Sequence, residues 1–189
     1  DRNATVNFQL EEVPVEIGPV LIVAKRAANE EESPVSVRSI GVNEIKRNPG
    51  GDRDISKVIR TLPGVAAIPS FRNDLIIRGG AANENRFYID GIEIPNINHF
   101  ATQGSNGGPK GLINVDLINE VDFYSGAFPA ARGNALSSVI EFQFKDARRD
   151  KWASNIIVGS SDIGITLEGA TGKNSGLTFS ARQIGRAHV

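Results

Sequence analysis

The chain of 189 residues has no cysteine and no methionine, and only two histidines. Without cysteine there are no disulfides and no thiol chemistry, and the redox compartment stays open. His99 and His188 leave a zinc or copper site almost nothing to work with, so no metal is expected. The absence of methionine suggests a piece whose natural start lies upstream. The opening Asp1-Arg2-Asn3 carries neither the basic start nor the apolar stretch of a signal peptide. Basic surplus is missing too: the net charge is −1, too little to hold phosphates, so no nucleic-acid partner is expected. No apolar run approaches the ~18 residues that a spanning helix needs. Neither G-x-S-x-G nor H-E-x-x-H occurs. In "GSNGGPKG" the glycine and hydroxyl that would flank a phosphate-loop lysine are Pro109 and Gly111. No enzyme activity and no cofactor are expected.

What is present is enough apolar residue, 40%, for one real core. In "RFYIDGIEIPN" the pair Asp90-Gly91 signals a two-residue hairpin turn. Folded there, Ile89 faces Ile92 and Phe87 faces Ile94 on one apolar side, with Tyr88 and Glu93 on the other. Such a hairpin cannot stand alone in water. Its partner is expected in "DISKVIRTLPG", where Ile55, Val58, Ile59 and Leu62 follow helical spacing between Asp54 as N-cap and Pro63-Gly64 as the stop. Burial of side chains of this size stabilises by about 1.5–3 kcal/mol each before entropy is subtracted. "VSVRSI" alternates as a strand, and Asn43 is placed to cap a short helical turn ended by Pro49-Gly50-Gly51. "LIIRGG" reads as a short buried strand, and Asn114 as the cap of another short helix over Leu117 and Ile118. "EVDFYSG" and "VIEFQFK" complete the strands. Residues 95 to 111 form a loop with four glycines from 104 onward.

Both ends have a different texture. Residues 6 to 17 read as the last strand of something that began earlier, limited to an edge by Pro14. Five apolar residues, Val20 to Ala24, then run into a linker composition ending in a solvated acidic run around Glu30 to Glu32. After Asp150, "DIGITLEGA" sets Ile163, Ile165 and Leu167 against Gly164, Thr166 and Glu168. "GLTFSAR" does the same with Leu177, Phe179 and Ala181, the turn "TGKNSG" joins the two, and "WASNIIV" is a third, less regular strand. Such strands suit a membrane barrel with lipid outside and lumen inside; an ordinary half-buried meander alternates in the same way.

"VIRTLPGV", "LIIRGGAANENRFYIDGIEIPN", "INEVDFYSGAFPA" and "GNALSSVIEFQFK" occur in one order, and together they resemble the plug domain of a TonB-dependent outer-membrane receptor. The resemblance runs over roughly residues 18 to 182. It implies an α+β fold, a small mixed β-sheet with two or three short helices, followed by antiparallel strands of a truncated β-barrel. Four parts follow: 1–17, the end of an upstream carboxypeptidase-regulatory-like β module; 18–34, TonB box and linker; 35–147, plug; 148–189, first barrel strands and a tail whose terminal "GRAHV" has no strand pattern. The implied TonB box is Val20, Leu21, Ile22, Val23 and Ala24, pairing by strand addition with the TonB C-terminal domain. The implied ligand floor is Asn96, Asn98, His99 and Phe100, with Phe71 and Arg72 second. Asparagine, histidine and aromatic side chains suit a polar ligand. Arg78 is the implied contact to the barrel. Where the family often has Arg-Tyr-Gly-Asn this chain has Ala131-Arg132-Gly133-Asn134, so no contact is carried over to Arg132. The implied whole is an outer-membrane receptor importing a scarce nutrient (siderophore, vitamin, peptide or glycan), its plug inside the barrel and its N-terminal segment facing the periplasm. The competing expectation is a soluble interaction or carbohydrate-binding module whose C-terminal strands close a β-sandwich.

Overall fold

A computed structural model describes residues 36–67, 72–100, 105, 107–159 and 162–185. The expected strand at 6 to 17, the segment Val20 to Ala24, Phe71 and the tail from residue 186 lie outside the described residues. The chain enters through β1 (Val37–Gly41) and two short helices, α1 (Val42–Arg47) and α2 (Ile55–Ile59). A small pair, β2 (Val65–Ala67) and β3 (Leu75–Ile77), precedes the hairpin of β4 (Asn85–Ile89) and β5 (Ile92–Ile94). Then come β6 (Ile118–Tyr124), β7 (Ser138–Phe144), and finally β8 (Ala153–Val158), β9 (Asp162–Ala170) and β10 (Gly176–Ile184).

The hairpin takes the expected register, Phe87 opposite Ile94, Tyr88 opposite Glu93 and Ile89 opposite Ile92. Its turn has φ of 47° at Asp90 and 83° at Gly91, both left-handed as a tight hairpin requires. The Asp90 amide donates to the Phe142 carbonyl at 2.9 Å, and its carboxylate accepts from the Phe144 amide at 3.0 Å. These bonds pin the turn to β7. The five-stranded sheet has the order β1-β6-β7-β4-β5; β4 and β7 run parallel and the other neighbours antiparallel, so the sheet is mixed.

Helix α2 forms as its spacing predicts. The Asp54 side chain accepts from the Ser56 amide at 2.9 Å, and Gly64, at φ 80°, turns the chain away. Ile55, Val58, Ile59 and Leu62 join Phe87, Val121, Ile140 and Phe142 in one buried cluster. Asn114 caps a single 3-10 turn, Val115–Leu117, by accepting from the Asp116 amide at 3.0 Å. Two expectations need correction. Asn43 caps nothing: the N-cap position of α1 is Gly41, with no side-chain cap, because β1 runs straight into the helix. Nor are the hairpin's two faces split as expected. Ile92 stays 71% exposed near the tip of the sheet's edge strand, whereas Tyr88 is buried. Arg132, from the segment between β6 and β7, lies over the Tyr88 ring with its Cζ 4.6 Å from the centroid.

Strands β8 to β10 form a separate antiparallel meander. Its apolar side faces outward: Ile163, Leu177 and Phe179 are all more than half exposed. Thr166 is buried on the opposite side, and that polar side meets the five-stranded domain.

Candidate functional site

Residues 95–100 and 107–111 close on each other through backbone bonds. The His99 amide donates to the Lys110 carbonyl at 2.9 Å, Gly108 to His99 at 2.7 Å, and Leu112 to Ile97 at 2.7 Å. The Asn96 side chain folds under the start of the loop, accepting from the Ile97 and Asn98 amides at 2.8 and 3.3 Å. Gly107 has φ 100°, and a Cβ there would lie 2.9 Å from both Asn96 Nδ2 and Asn98 Cβ. The glycine is therefore what lets the two sides approach.

Of the four residues expected on this loop's floor, Phe100 is the most exposed. It holds φ 59°, a strained conformation for a bulky side chain and one that recurs at ligand clamps. His99 is half-buried beside it, the rings 5.9 Å apart and tilted 45°. Burial, and then the charge of Arg182, hold the imidazole below its ordinary range, so it is neutral at neutral pH. Asn98 does not face outward. It is buried, and its Oδ1 accepts from Ser56 Oγ at 3.1 Å. Arg72, on the second expected segment, is exposed and sets its guanidinium 2.7 Å from the Asp74 carboxylate. The two segments meet: the Asn73 amide donates to the Gly107 carbonyl at 3.4 Å.

Contact with the meander is made by polar groups. Asn114 Nδ2 donates to Ser180 Oγ at 2.7 Å and to Thr166 Oγ1 at 3.2 Å. Asp116 accepts from Asn155 at 2.6 Å, and both Lys46 and Arg53 lie 2.8 Å from its other oxygen. Burial alone would push this carboxyl up, but the two cations and Asn155 outweigh it and hold it below the ordinary range. Lys110 spans 2.7 Å to Asp52 and 3.8 Å to Asp162, Arg182 lies 3.0 Å from Asp162, and Lys145 lies 2.8 Å from Glu168.

Arg78 takes no part in this contact among the described residues. It has φ 51° and borders a cleft of about 410 Å³ with Glu84, Gly126, Leu136 and Ser137. Arg132, to which the sequence pattern assigned nothing, is well used: its guanidinium reaches the Glu141 carboxylate at 2.6 and 3.3 Å while covering Tyr88. No spacing rule flags these partners: Glu141 lies across the turn into β7 and Tyr88 on another strand, β4. Asp116 could have been found only as a charge in the first turn after a cap.

The family model described as "TonB-dependent Receptor Plug Domain" matches residues 29–139. No curated protein matches by sequence. Among solved structures, the alcaligin outer-membrane receptor FauA of Bordetella pertussis is 21% identical, with a TM-score of 0.57 over 82% of this chain and 27% of that one. A ferric enterobactin receptor of Pseudomonas aeruginosa is 18% identical, with a TM-score of 0.57 over 81% and 25%. The outer membrane transporter YddB of Escherichia coli is 19% identical, with a TM-score of 0.55 over 78% and 26%. The chain thus spans about a quarter of the length of these structures.

Proposed function

The chain belongs to the TonB-dependent receptor plug domain family, and from that premise we propose that it gates energy-coupled import of a scarce nutrient through an outer-membrane β-barrel. The observation that carries this reading is the sidedness of β8 to β10. Their apolar side faces out, where lipid would cover it, and their polar side bonds to the domain, as a lumen wall would to its plug. A β-sandwich would turn the apolar side inward, so the arrangement favours the receptor over a soluble module.

The parts divide as the sequence suggests: an upstream module to residue 17, TonB box and linker at 18–34, plug at 35–147, barrel strands from 148. Val20 to Ala24 adds as a strand to the TonB C-terminal domain on the periplasmic side. The pull rearranges the plug and opens a path past it. The loop carrying Asn96, His99 and Phe100 is the ligand floor, with the segment of Phe71 and Arg72 as its second part, and Asn98 holds it from beneath. A neutral imidazole, an exposed aromatic face and an amide suit a polar ligand with a ring or apolar face; siderophores, vitamins, peptides and glycans all offer one. Arg78, on its cleft, is poised for an acidic group from a barrel strand beyond residue 185.

The TonB C-terminal domain tests this directly. It should bind the chain with wild-type sequence at 20 to 24 and fail to bind Ile22→Pro, which deletes a ladder donor, while the melting temperature stays the same. Equal binding by both proteins would remove the TonB box from this segment.

A further inference from the structure

The Asp54 carboxylate is only 3% exposed, and three donors converge on it. The Ser56 amide reaches Oδ1 at 2.9 Å, while Asn73 Nδ2 at 2.9 Å and the Gly111 amide at 2.8 Å share Oδ2. An N-cap requires only the first of these bonds. The other two tie in the segment ahead of β3 and the far end of the 95–111 loop. Asn98 closes the ring, its Oδ1 lying 3.1 Å from Ser56 Oγ and 3.5 Å from Asn73 Nδ2. Gly111 makes the approach possible: a Cβ there would lie 3.0 Å from Asp54 Oδ1. A carboxylate withdrawn from water is stable only while its lone pairs are filled. The donors therefore hold or fail together.

We propose that Asp54 is a positioning residue that joins the 72–74 segment and the two limbs 95–100 and 107–111 into one recognition unit, mechanically continuous with the first turn of α2. A ligand that displaces either segment then displaces both and pulls on the helix cap. This functional consequence rests on the ligand-floor reading above; the mechanical coupling does not.

Amide hydrogen exchange on the intact receptor in detergent micelles tests the coupling with no ligand present. Peptides covering 72–77 and 107–113 should open at a common rate in the native protein. Asp54→Asn keeps a good cap residue but puts an amide N–H₂ toward one side of the donor ring. It should accelerate both peptides by a similar factor, about tenfold for a loss near 1.4 kcal/mol, with β6 and β7 unchanged. Asn73→Ala removes the donor to Asp54 and the longer contact to Asn98 but keeps the backbone bond to Gly107, and should still accelerate 107–113 together with its own segment. Acceleration confined to residues 72–77 in Asn73→Ala would overturn the proposal, even if Asp54→Asn proved too unstable to purify. Unequal native rates for the two peptides would do the same. The ligand reading fails separately: Phe100→Ala with undiminished uptake would sink it and leave the exchange coupling intact.

Discussion

A side chain at position 91 would have to hold φ 83°. Space is not the obstacle, since a Cβ there meets nothing nearer than Arg132 Nη2 at 3.7 Å. The obstacle is the backbone itself, and a β-branched residue is the worst choice for it. Gly91→Val should therefore destabilise by about 1–3 kcal/mol and lower the melting temperature. Asp90→Asn should melt like wild type, because asparagine tolerates positive φ and its Oδ1 can still accept from Phe144. If Gly91→Val also melted unchanged, the left-handed turn would not be what sets this hairpin. At this scale the turn was readable in advance because its constraint lies within two residues. Tyr88 and Asn98 were not. Tyr88 is covered by a guanidinium from beyond β6, and Asn98 is buried because distant Ser56 and Asn73 satisfy it. Residue type records polarity, and polarity alone does not say where the hydrogen-bond partners are.

Among the elements, the 3-10 turn Val115–Leu117 does the most with the fewest residues. Its cap, Asn114, bonds to β9 and β10, and its Asp116 bonds to β8 and to two cations. Asp116 titrates below its ordinary value near 3.8, so the folded state binds its proton more weakly than the unfolded chain does. Its contribution to stability is thus complete above about pH 4. It is lost as the pH falls through the depressed folded value. Thermal melts from pH 7 down to pH 2 should show this acid limb. Asp116→Asn should be destabilised at pH 7 by about 1–2 kcal/mol, discounted because Lys46 and Arg53 are each about a third exposed. The variant should also lose part of the limb; an acid limb as steep as wild type would assign the effect to other carboxylates. Elements with strong periodicity, α2 and the strands β9 and β10, were legible from the sequence, including which side of the strands is apolar; β8, less regular, was legible only as a strand. What that side faces was not, since alternation is the same in a barrel and in a meander. The failed cap at Asn43 has a similar cause: capping chemistry marks a helix start only where the backbone leaves the extended state, and here that point is Gly41.

For the whole molecule the question is whether β8 to β10 belong to the domain's own core. The hydrophobic cluster of the described residues ends at Phe142 and takes no side chain from the three strands. They are held instead by Asn114, Asp116, Lys110 and Lys145. Truncation after Asp146 would return these groups to water at little cost, since each can be hydrated where it stands. The shortened protein should therefore keep the circular dichroism of the five-stranded sheet and melt cooperatively. The 189-residue chain carries a further liability. Among the described residues, both β8 and β10 end the meander with unpaired edges, and the outward side presents Ile163, Leu177 and Phe179. In a complete barrel, neighbouring strands and lipid would cover both; in this chain they are templates for pairing with another copy. The longer protein should accordingly associate in detergent-free buffer and the truncated one should run as a monomer, as sedimentation would register. If truncation abolishes cooperative melting, the three strands are part of the domain's own folding unit. The division into plug and barrel strands after residue 147 would then fall, and the reading of a soluble module closed by these strands would take its place.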